Sequence, residues 1–462
     1  MVKAKYEEEK QKVKLQLQNV SAVSVTSDMW TSINMDAYLA LSCHYIDENT
    51  CLKSTVLGVV YFPEKHTAGN LASVKTSLME EWGITSKVTY LVTDGAANMI
   101  ACGKALRLRH AICVAHTLNL IVKKSLDLTP VLSAICTKAR RLVGYFRSST
   151  TAKVGSLTLF SYLLMYYVFV IAPFFTITII FCVLKEKLAL IQEQMGKPKL
   201  KLIQEVETRW NSTFQMLQRL VEQREPVGAA LGGLVSDIPA LKSEEYTNVT
   251  GCLSILSPFH EATVELSEEK RVSGSKVIPL LKMIEKVLQD ETMRSSNPLA
   301  RELGEHLIKL LREKLHTQQS PALLRRLTSE CANGIRETSH HPQTPPVAST
   351  STSNVVERPG NKLWSHLDAT VMASRTMHNV TADAIVEVQR YLSEPNIGRT
   401  DDPLIYWERQ KCIYPNLYKL AIVYLCTPAK SVPCERLFSK AGEVISKKST
   451  QSKHSRTNIV PK

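Results

Sequence analysis

The sequence predicts a mixed α/β fold, and the order of its strands and helices carries this prediction. Three alternating, β-branched stretches follow residue 22: AVSVTSDMW, AYLALSCHYID and LKSTVLGVVYF. A helical stretch, NLASVKTSLMEEWG, then ends on Gly83 as a C-cap. The strand KVTYLVTDG, the short helix AANMIACGKAL, the strand HAICVAH and a helical stretch over about residues 118–151 complete a β-β-β-α-β-α-β-α order.

Two acidic residues occupy special positions in this order. Asp28 lies in the first strand and Asp94 ends the fourth. A chain with this order and these two acids is typical of an RNase H-like core. If the first and fourth strands are neighbours, as that fold requires, the carboxylates converge and can hold divalent ions for phosphoryl transfer. The spacing alone leaves a second interpretation equally open, in which Asp94 caps the next helix and Asp28 sits at a strand bend.

The rest of the chain divides by composition. We predict a charged helical lead-in over 1–21, the first part of the core over 22–153, an apolar insertion over 154–185, an α-helical domain over 186–337, a disordered Pro/Ser/Thr-rich linker over 338–362, a C-terminal helical region over 363–446 and a basic tail over 447–462.

The totals favour an intracellular protein with an acidic partner. The 462 residues carry a formal net charge of +14, which favours nucleic acid, although a well-solvated basic surface explains the charge as well. The start MVKAKYEEEKQKVK is too charged for a secretory signal. None of the eleven cysteines forms a CxxC pair, so we expect reduced and mostly buried thiols.

One stretch departs from this composition. Residues 154–184, VGSLTLFSYLLMYYVFVIAPFFTITIIFCVL, contain no charged side chain and are long enough for a single-pass membrane helix over 156–184. Such a span would separate the predicted core strands from the C-terminal region. We favour a translated intron over 154–185, because Lys153-Val154 can be encoded as a splice donor and FFTITIIFCVLK as a T-rich acceptor. Its removal joins RSSTTAK to EKLALIQEQMG in frame and restores a helical pattern.

Two further motifs carry candidate functional residues. CVAHTLNL places Cys113 three residues before His116, which is incomplete as a zinc site and favours a histidine that ties the strand end to the active-site floor. ETRWNST places Arg209 beside Trp210. An exposed tryptophan there could stack on an unpaired base, whereas a core tryptophan with a snorkelling arginine is the commoner case.

The C-terminal region gathers large apolar side chains around a short helical hairpin. Tyr406, Trp407, Tyr414 and Leu417 form either core or a subunit interface. Glu435 opens the second helix of the hairpin, where it supplies a third carboxylate or stabilises the helix N-terminus.

Five motifs together resemble the hAT superfamily of DNA transposases and its domesticated, BED-type zinc-finger relatives. They are TSDMWTS, VTDGAANM, CVAHTLNL, ETRWNSTFQML and YPNLYKLAIVYLCTPAKSVPCERLFSKAG, in family order over most of residues 22–445. The resemblance implies an RNase H-like core that is split by an α-helical insertion domain. It also implies that the C-terminal region, 363–446, mediates dimerisation and completes the core.

The resemblance also implies roles for individual residues. Asp28, Asp94 and Glu435 match the metal-binding acidic triad, which would hold Mg²⁺ or Mn²⁺ if the chain is catalytic. Arg209 and Trp210 match the pair that acts on flipped bases, and His116 belongs to the CxxH motif near DNA. Dimerisation is expected through Tyr406, Trp407, Tyr414, Leu417, Leu420, Leu425, Leu437 and Phe438.

Three departures from the family pattern point to lost transposition. No BED finger precedes Asp28, the LDPR motif is missing before the linker, and the tail after Gly442 lacks the basic helix of the family. We therefore predict a nuclear, DNA-binding homodimer or higher oligomer that has no small-molecule substrate. The alternatives are an active Mg²⁺-dependent transposase or nuclease, a non-catalytic interaction protein without a cofactor, and a membrane protein anchored through 156–184.

Overall fold

The computed structural model describes residues 2–32, 35–147, 188–232, 239–268, 271–315 and 380–431. The chain separates into two compact units, each treated by itself below. The sheet unit comprises residues 1–113, 268–276 and 317–462, and the helical unit comprises 114–267 and 277–316. The predicted apolar insertion, the 338–362 linker and the basic tail lie outside the described residues.

The sheet unit confirms the mixed α/β class. Its first elements are α1 (Val2–Asn19), β1 (Val23–Thr31), β2 (Ala37–Ile46), β3 (Leu52–Tyr61), α2 (Ala68–Glu81), β4 (Val88–Thr93), α3 (Ala97–Ala105) and β5 (Arg109–Ile112). The five strands form one sheet in the order β3-β2-β1-β4-β5. β1, β2 and β3 pair antiparallel, whereas β4 pairs parallel with both β1 and β5.

One face of the sheet forms the apolar core because strand side chains alternate between the two faces. Val25, Leu41 and Leu91 are fully buried in this core. α2 covers it with a helical stripe, begins at the Thr67 cap, and ends before Gly83, whose positive φ of 66° closes the last turn.

The helix predicted over about 118–151 is two helices in the structure. α4 (Val114–Asp127) ends at a short break, and α5 (Pro130–Arg147) starts on a proline. Proline suits the first helical position because its missing N–H would have no intrahelical partner there. At the other end, β5 is only four residues long, so helix begins directly after Cys113.

The helical unit packs amphipathic helices around an apolar interior. Beyond α4 and α5 its helices are α6 (Trp210–Glu222), α7 (Arg224–Gly232), α8 (Ser243–Leu266), α9 (Val277–Arg294) and α10 (Pro298–Leu315). Their buried faces include Leu118, Leu132, Leu217, Phe259 and Leu307. This bundle is where the Arg209–Trp210 pair lies.

Three C-terminal helices belong to the sheet unit: α11 (Val380–Leu392), α12 (Pro403–Gln410) and α13 (Pro415–Leu425). Leu404 and Cys426 pack in one buried cluster with Ile46 of β2 and with Val272. Arg109 of β5 donates a hydrogen bond to the Tyr424 hydroxyl at 2.6 Å. The C-terminal helices are therefore packed on the sheet itself.

Within the described ranges, no helix is both long and apolar enough to cross a bilayer. The apolar run over 154–184 lies outside those ranges.

Candidate functional site

The strand register brings the two predicted acids to one edge of the sheet. β1 and β4 run parallel with Val25 beside Leu91 and Thr26 beside Val92. Asp28 lies two residues beyond the last of these pairs on β1, and Asp94 directly follows Thr93, the last residue of β4. Residues two apart in a strand share a face, and neighbouring strands lie about 4.8 Å apart. The two residues therefore lie near the carboxyl ends of adjacent parallel strands, where the convergence of their carboxylates stays a prediction.

Asp28 is a half-buried residue within β1. Its Oδ1 accepts a hydrogen bond from the Met29 amide at 2.9 Å. Across the antiparallel pair it faces Ala40 of β2, whose small side chain leaves room beside the carboxylate.

Asp94 sits in the tight turn between β4 and α3. Its Oδ1 accepts the Ala96 amide at 3.0 Å, so it does contribute to the start of the next helix. Gly95 follows with φ of +86°, and a Cβ there would lie 2.8 Å from Ile112 Cγ2, so only glycine fits this turn. The helix-start role uses one carboxylate oxygen and is compatible with a ligand role for the other.

The chain leading to Glu435 reaches this same edge. The Cys113 amide donates a hydrogen bond to the Thr93 carbonyl at 2.7 Å. The Ser431 amide donates one to Cys113 Sγ at 3.4 Å. Cys113 is buried, and its thiol acts as part of this packing. Glu435, the predicted third acid, lies outside the described residues.

A buried polar patch lies on the face of β1 that carries Asp28. Thr26 Oγ1 and His44 Nε2 are 3.2 Å apart, and Ser24 donates to the Cys426 carbonyl at 3.1 Å. Burial, together with the smaller effect of the nearby Lys430 charge, lowers the pKa of His44 to about 4. His44 is therefore neutral at physiological pH.

The donor set at the sheet edge fits a hard divalent cation. Carboxylate oxygens are the ligands that Mg²⁺ and Mn²⁺ prefer, and Asp28 and Asp94 supply two such groups. Among the residues that the structure describes, no group of three or more His, Cys, Asp or Glu side chains is placed to hold a metal. Two protein carboxylates with open coordination positions resemble the way Mg²⁺ is usually bound.

The CxxH residues fall on either side of an element boundary. Cys113 follows β5 in the sheet unit, and His116 lies half-buried in the first turn of α4 in the helical unit. A role for His116 at DNA or at the active-site floor stays a prediction.

Trp210 is a core residue of the helical unit. Only 3% of it is exposed, and its ring meets Phe214 and Phe259 edge-on with centroids 6.3 and 6.4 Å away. Asn119 Oδ1 accepts the Trp210 backbone amide at 2.9 Å. Arg209, by contrast, is exposed. In this structure the arginine faces solvent and the indole ring does not.

Several of the predicted dimerisation residues form the chain's own core. Trp407, Tyr414 and Leu417 are buried, and the Tyr406 and Tyr414 hydroxyls donate to Glu394 at 2.6 and 2.5 Å. The half-buried side chains of Leu420 and Leu425 pack on the same cluster, and Leu437 and Phe438 lie outside the described residues. The exposed apolar side chains of this region are instead Ile385, Val386, Leu392, Ile397, Ile405 and Ile413.

The residues that support the Asp94 turn were not singled out from the sequence. Thr93 and His110 share a short hydrogen bond next to this turn, and Lys75 is buried nearby. One signal was available for Lys75, since it interrupts the apolar stripe of α2 between Leu71 and Leu78. A lysine at a core position of a helix is uncommon and marks a site to inspect.

Three family models match the chain. They are the ZBED1 RNase-like domain over residues 26–120, the ZBED1 RNase-like helical domain over 183–250 and the hAT family C-terminal dimerisation region over 387–458. Together with the fold they define a hAT transposase-derived protein with an RNase-like domain and a C-terminal dimerisation region. The resemblance to BED-type relatives of these transposases is thereby confirmed.

Individual relatives fit this class. Zinc finger BED domain-containing protein 4 of Homo sapiens is 24% identical over 91% of this chain and 35% of its own length. Zinc finger BED domain-containing protein 6 of Mus musculus is 22% identical over 94% of this chain and 47% of its own length. A candidate AC transposase of Zea mays is 31% identical over 31% of this chain and 20% of its own length. The chain thus spans half or less of each of these relatives.

Proposed function

We propose that this chain is a nuclear, hAT transposase-derived protein that binds DNA, self-associates through its C-terminal region and has lost transposition. One observation carries the proposal: a single compact unit contains both the Asp28–Asp94 pair and the packed helices of the dimerisation region. α12 and α13 contact β2 and β5 through Leu404, Cys426 and Tyr424. Self-association and the nucleic-acid site would then depend on one folded body.

We assign the third carboxylate of this site to Glu435. The supporting contact is that of Ser431 with Cys113, beside the end of β4. Glu435 is the fourth residue after Ser431, and four residues of chain span at most about 14 Å. In this proposal the helical stretch over 186–337 is the insertion that splits the RNase H-like core.

DNA is the proposed partner because charge and relatives agree. The formal net charge is +14, and the relatives of this class include a candidate transposase. Fluorescence anisotropy of the full chain with a labelled duplex tests this. We expect the affinity to fall steeply with salt, because phosphate contacts release counterions. Arg209→Ala should weaken binding. Salt-independent binding would contradict phosphate contacts, and no binding at low salt would contradict a DNA partner.

A second candidate, an active metal-dependent nuclease or transposase, is favoured by the parallel pairing of β1, which carries Asp28, with β4, which Asp94 directly follows. A bound divalent ion would activate a water or a 3′-hydroxyl and stabilise the leaving oxygen. The two carboxylates of the chain would hold and orient that ion. Nicking of supercoiled DNA with Mg²⁺ or Mn²⁺, compared between wild type and Asp94→Ala, separates the candidates. Loss of nicking in Asp94→Ala establishes catalysis, and equal or no activity in both supports the binding protein.

Self-association is proposed to use the exposed apolar side chains of α11, not the buried aromatic cluster. Ile385 and Leu392 are 40% and 54% exposed and lie seven residues apart, which places them on one helix face. Light scattering after size exclusion should show a dimer for wild type and a folded monomer for Ile385→Asp with Leu392→Asp. Arg390→Glu changes the charge by the same two units at an exposed position about 140° around the helix from Ile385, and should remain dimeric. A dimeric double variant would contradict this surface.

A further inference from the structure

The Asp94 turn is supported by Thr93 and His110, which are not part of the acidic pair. Thr93 ends β4 and is fully buried, on the face of the sheet opposite to Asp94. Its hydroxyl lies 2.8 Å from His110 Nε2 on the neighbouring strand β5. The Gly95 amide also donates to this hydroxyl, at 3.4 Å. The Thr93 hydroxyl therefore connects His110 of β5 with the two residues that flank Asp94, Thr93 and Gly95.

We propose that Thr93 and His110 position the Asp94 carboxylate for a divalent cation, an inference that rests on the metal site proposed above. Both are positioning residues, since the Thr93 hydroxyl and His110 Nε2 are hydrogen-bonded to each other and act on the ion only through Asp94. Hydrogen-bonded groups behind metal ligands fix the ligand orientation, and their loss typically lowers metal affinity about 10- to 100-fold.

The ring of His110 is fixed by helix α3, which starts directly after the turn. A Cβ added at Gly103 would lie 3.2 Å from His110 Cβ and 3.3 Å from its Cδ2. The absence of a side chain at Gly103 thus allows the imidazole to pack directly on the helix. β5, α3 and the Asp94 turn are connected through this one ring.

The surroundings of His110 disfavour its charged form. Burial lowers the pKa of His110, the Lys75 charge lowers it as well, and the Asp94 charge opposes both. Lys75 is 1% exposed, and its ammonium lies 3.2 Å from Met99 Sδ and 3.5 Å from Cys102 Sγ. A neutral imidazole can bond Thr93 without placing a further positive charge beside Asp94.

Mn²⁺ binding to the full chain, followed by electron paramagnetic resonance, tests the proposal without any measurement of activity. Thr93→Val removes the hydroxyl and keeps the shape, and we expect it to raise the Mn²⁺ dissociation constant by about tenfold or more. Thr93→Ser restores the hydroxyl and should bind as wild type does. Thr89→Val is the matched control, because Thr89 lies at the other end of β4 and donates to the Val23 carbonyl at 3.1 Å.

His110 provides a second pair of variants in case Thr93→Val does not fold. His110→Gln places an amide nitrogen near the position of Nε2 and should retain most of the affinity. His110→Leu fills the space without a hydrogen-bonding group and should lose it. Urea unfolding of each variant shows whether a loss of affinity exceeds a general loss of stability.

The outcomes separate this inference from the proposed metal site. If wild type binds no Mn²⁺, or if Asp94→Ala binds it equally well, the metal site is wrong and the inference falls with it. If Asp94→Ala abolishes binding but Thr93→Val and His110→Leu match the Thr89→Val control, the metal site stands and the positioning role is overturned.

Discussion

The acidic pair and the Arg209–Trp210 pair, one in each unit, make a useful comparison because the same kind of motif pointed to both. In the sheet unit, the half-buried Asp28 and Asp94 lie near the carboxyl ends of the neighbouring parallel strands β1 and β4. In the helical unit, Arg209 is exposed while Trp210 is 3% exposed among phenylalanines. The first motif presents polar groups at an edge, and the second presents one polar group and buries its aromatic neighbour.

The difference shows that a sequence motif predicts the role of a side chain only when the backbone also determines the direction in which that side chain points. Parallel strands in register leave two side chains of matching phase no choice of face. A tryptophan at the first position of a helix can point inward or outward with the same local backbone. Apolar area decides between these, because burying an aromatic ring of this size is worth several kcal/mol, roughly 25 cal/mol per Å².

The largest expected effect follows from the burial of Trp210. Trp210→Ala should lower the free energy of unfolding of the helical unit by about 3–5 kcal/mol, as for other buried aromatic side chains. Trp210→Phe should cost much less. It keeps an aromatic ring and removes an indole N–H that has no acceptor among the described residues. Urea unfolding monitored by circular dichroism measures both variants.

Arg209→Ala is the matched control for this prediction, since Arg209 is the exposed neighbour of Trp210. It should change stability by less than about 0.5 kcal/mol, as surface substitutions usually do. If Trp210→Ala proved as harmless as Arg209→Ala, the indole would be accessible in solution, and the base-stacking role would regain support.

The second largest effect concerns pH and the buried His44 of the sheet unit. Its pKa falls from 6.5 to about 4 on folding, so the unfolded chain binds the proton more tightly. The stability due to neutral His44 is complete above pH 6.5 and is lost as the pH falls from there towards 4. By linkage this loss amounts to about 3 kcal/mol at pH 4 relative to pH 7.

A substitution isolates this contribution from that of the carboxylates. His44→Gln can still bond Thr26 but does not titrate, so its unfolding free energy should fall less between pH 7 and pH 4.5 than that of wild type. Urea unfolding at four pH values in this range gives the difference. Parallel curves for both proteins would show that His44 is protonated in the folded state as well.

The extent to which sequence predicts this molecule follows the same division. β1 to β5 were predictable, since period-2 alternation identifies strands, and so were the positions of Asp28 within β1 and of Asp94 directly after β4. The Thr93–His110 bond was not, because it depends on the side-chain directions of β5 against α3. The sequence did not decide whether Trp407 and Tyr414 belong to the core or to a subunit interface, since large apolar residues suit both equally. Pro130 marks the break between α4 and α5 in the sequence, even though the helical spacing of apolar residues continues across it.

A smaller effect is expected at the contact of the β2–β3 turn with the C-terminal helices. Thr50 adopts a positive φ of 56°, which is unusual for a β-branched residue, and donates to Glu408 Oε2 at 2.7 Å. Tyr418 donates to the same oxygen at 3.0 Å. Thr50→Val should therefore loosen α12 and α13, seen as faster amide hydrogen exchange over 403–425, while Thr50→Ser should not.

The pKa of Glu408 gives this contact a pH signature. Hydrogen bonds from Lys411, Thr50 and Tyr418 lower it to about 2 from an ordinary 4.5. The stabilisation is thus present above pH 4.5 and declines as the pH falls towards 2. Glu408→Gln should make exchange over 403–425 faster at pH 7 and less dependent on acid. Unchanged exchange in both Glu408→Gln and Thr50→Val would show that the apolar contacts alone hold these helices.

The smallest expected effect is that of deleting residues 154–185, which we propose to be translated intron. α5 ends at Arg147, and the deletion joins RSSTTAK to EKLALIQEQMG with a continuous helical pattern. We expect the deleted chain to form the same dimer as wild type, with the same unfolding transition for its helical unit and an equal or better soluble yield. A deletion that unfolds the helical unit but spares the sheet unit would show that the run belongs to the helical interior. Transcript reads that uniformly retain these codons would reject the intron, because a spliced message must lack them.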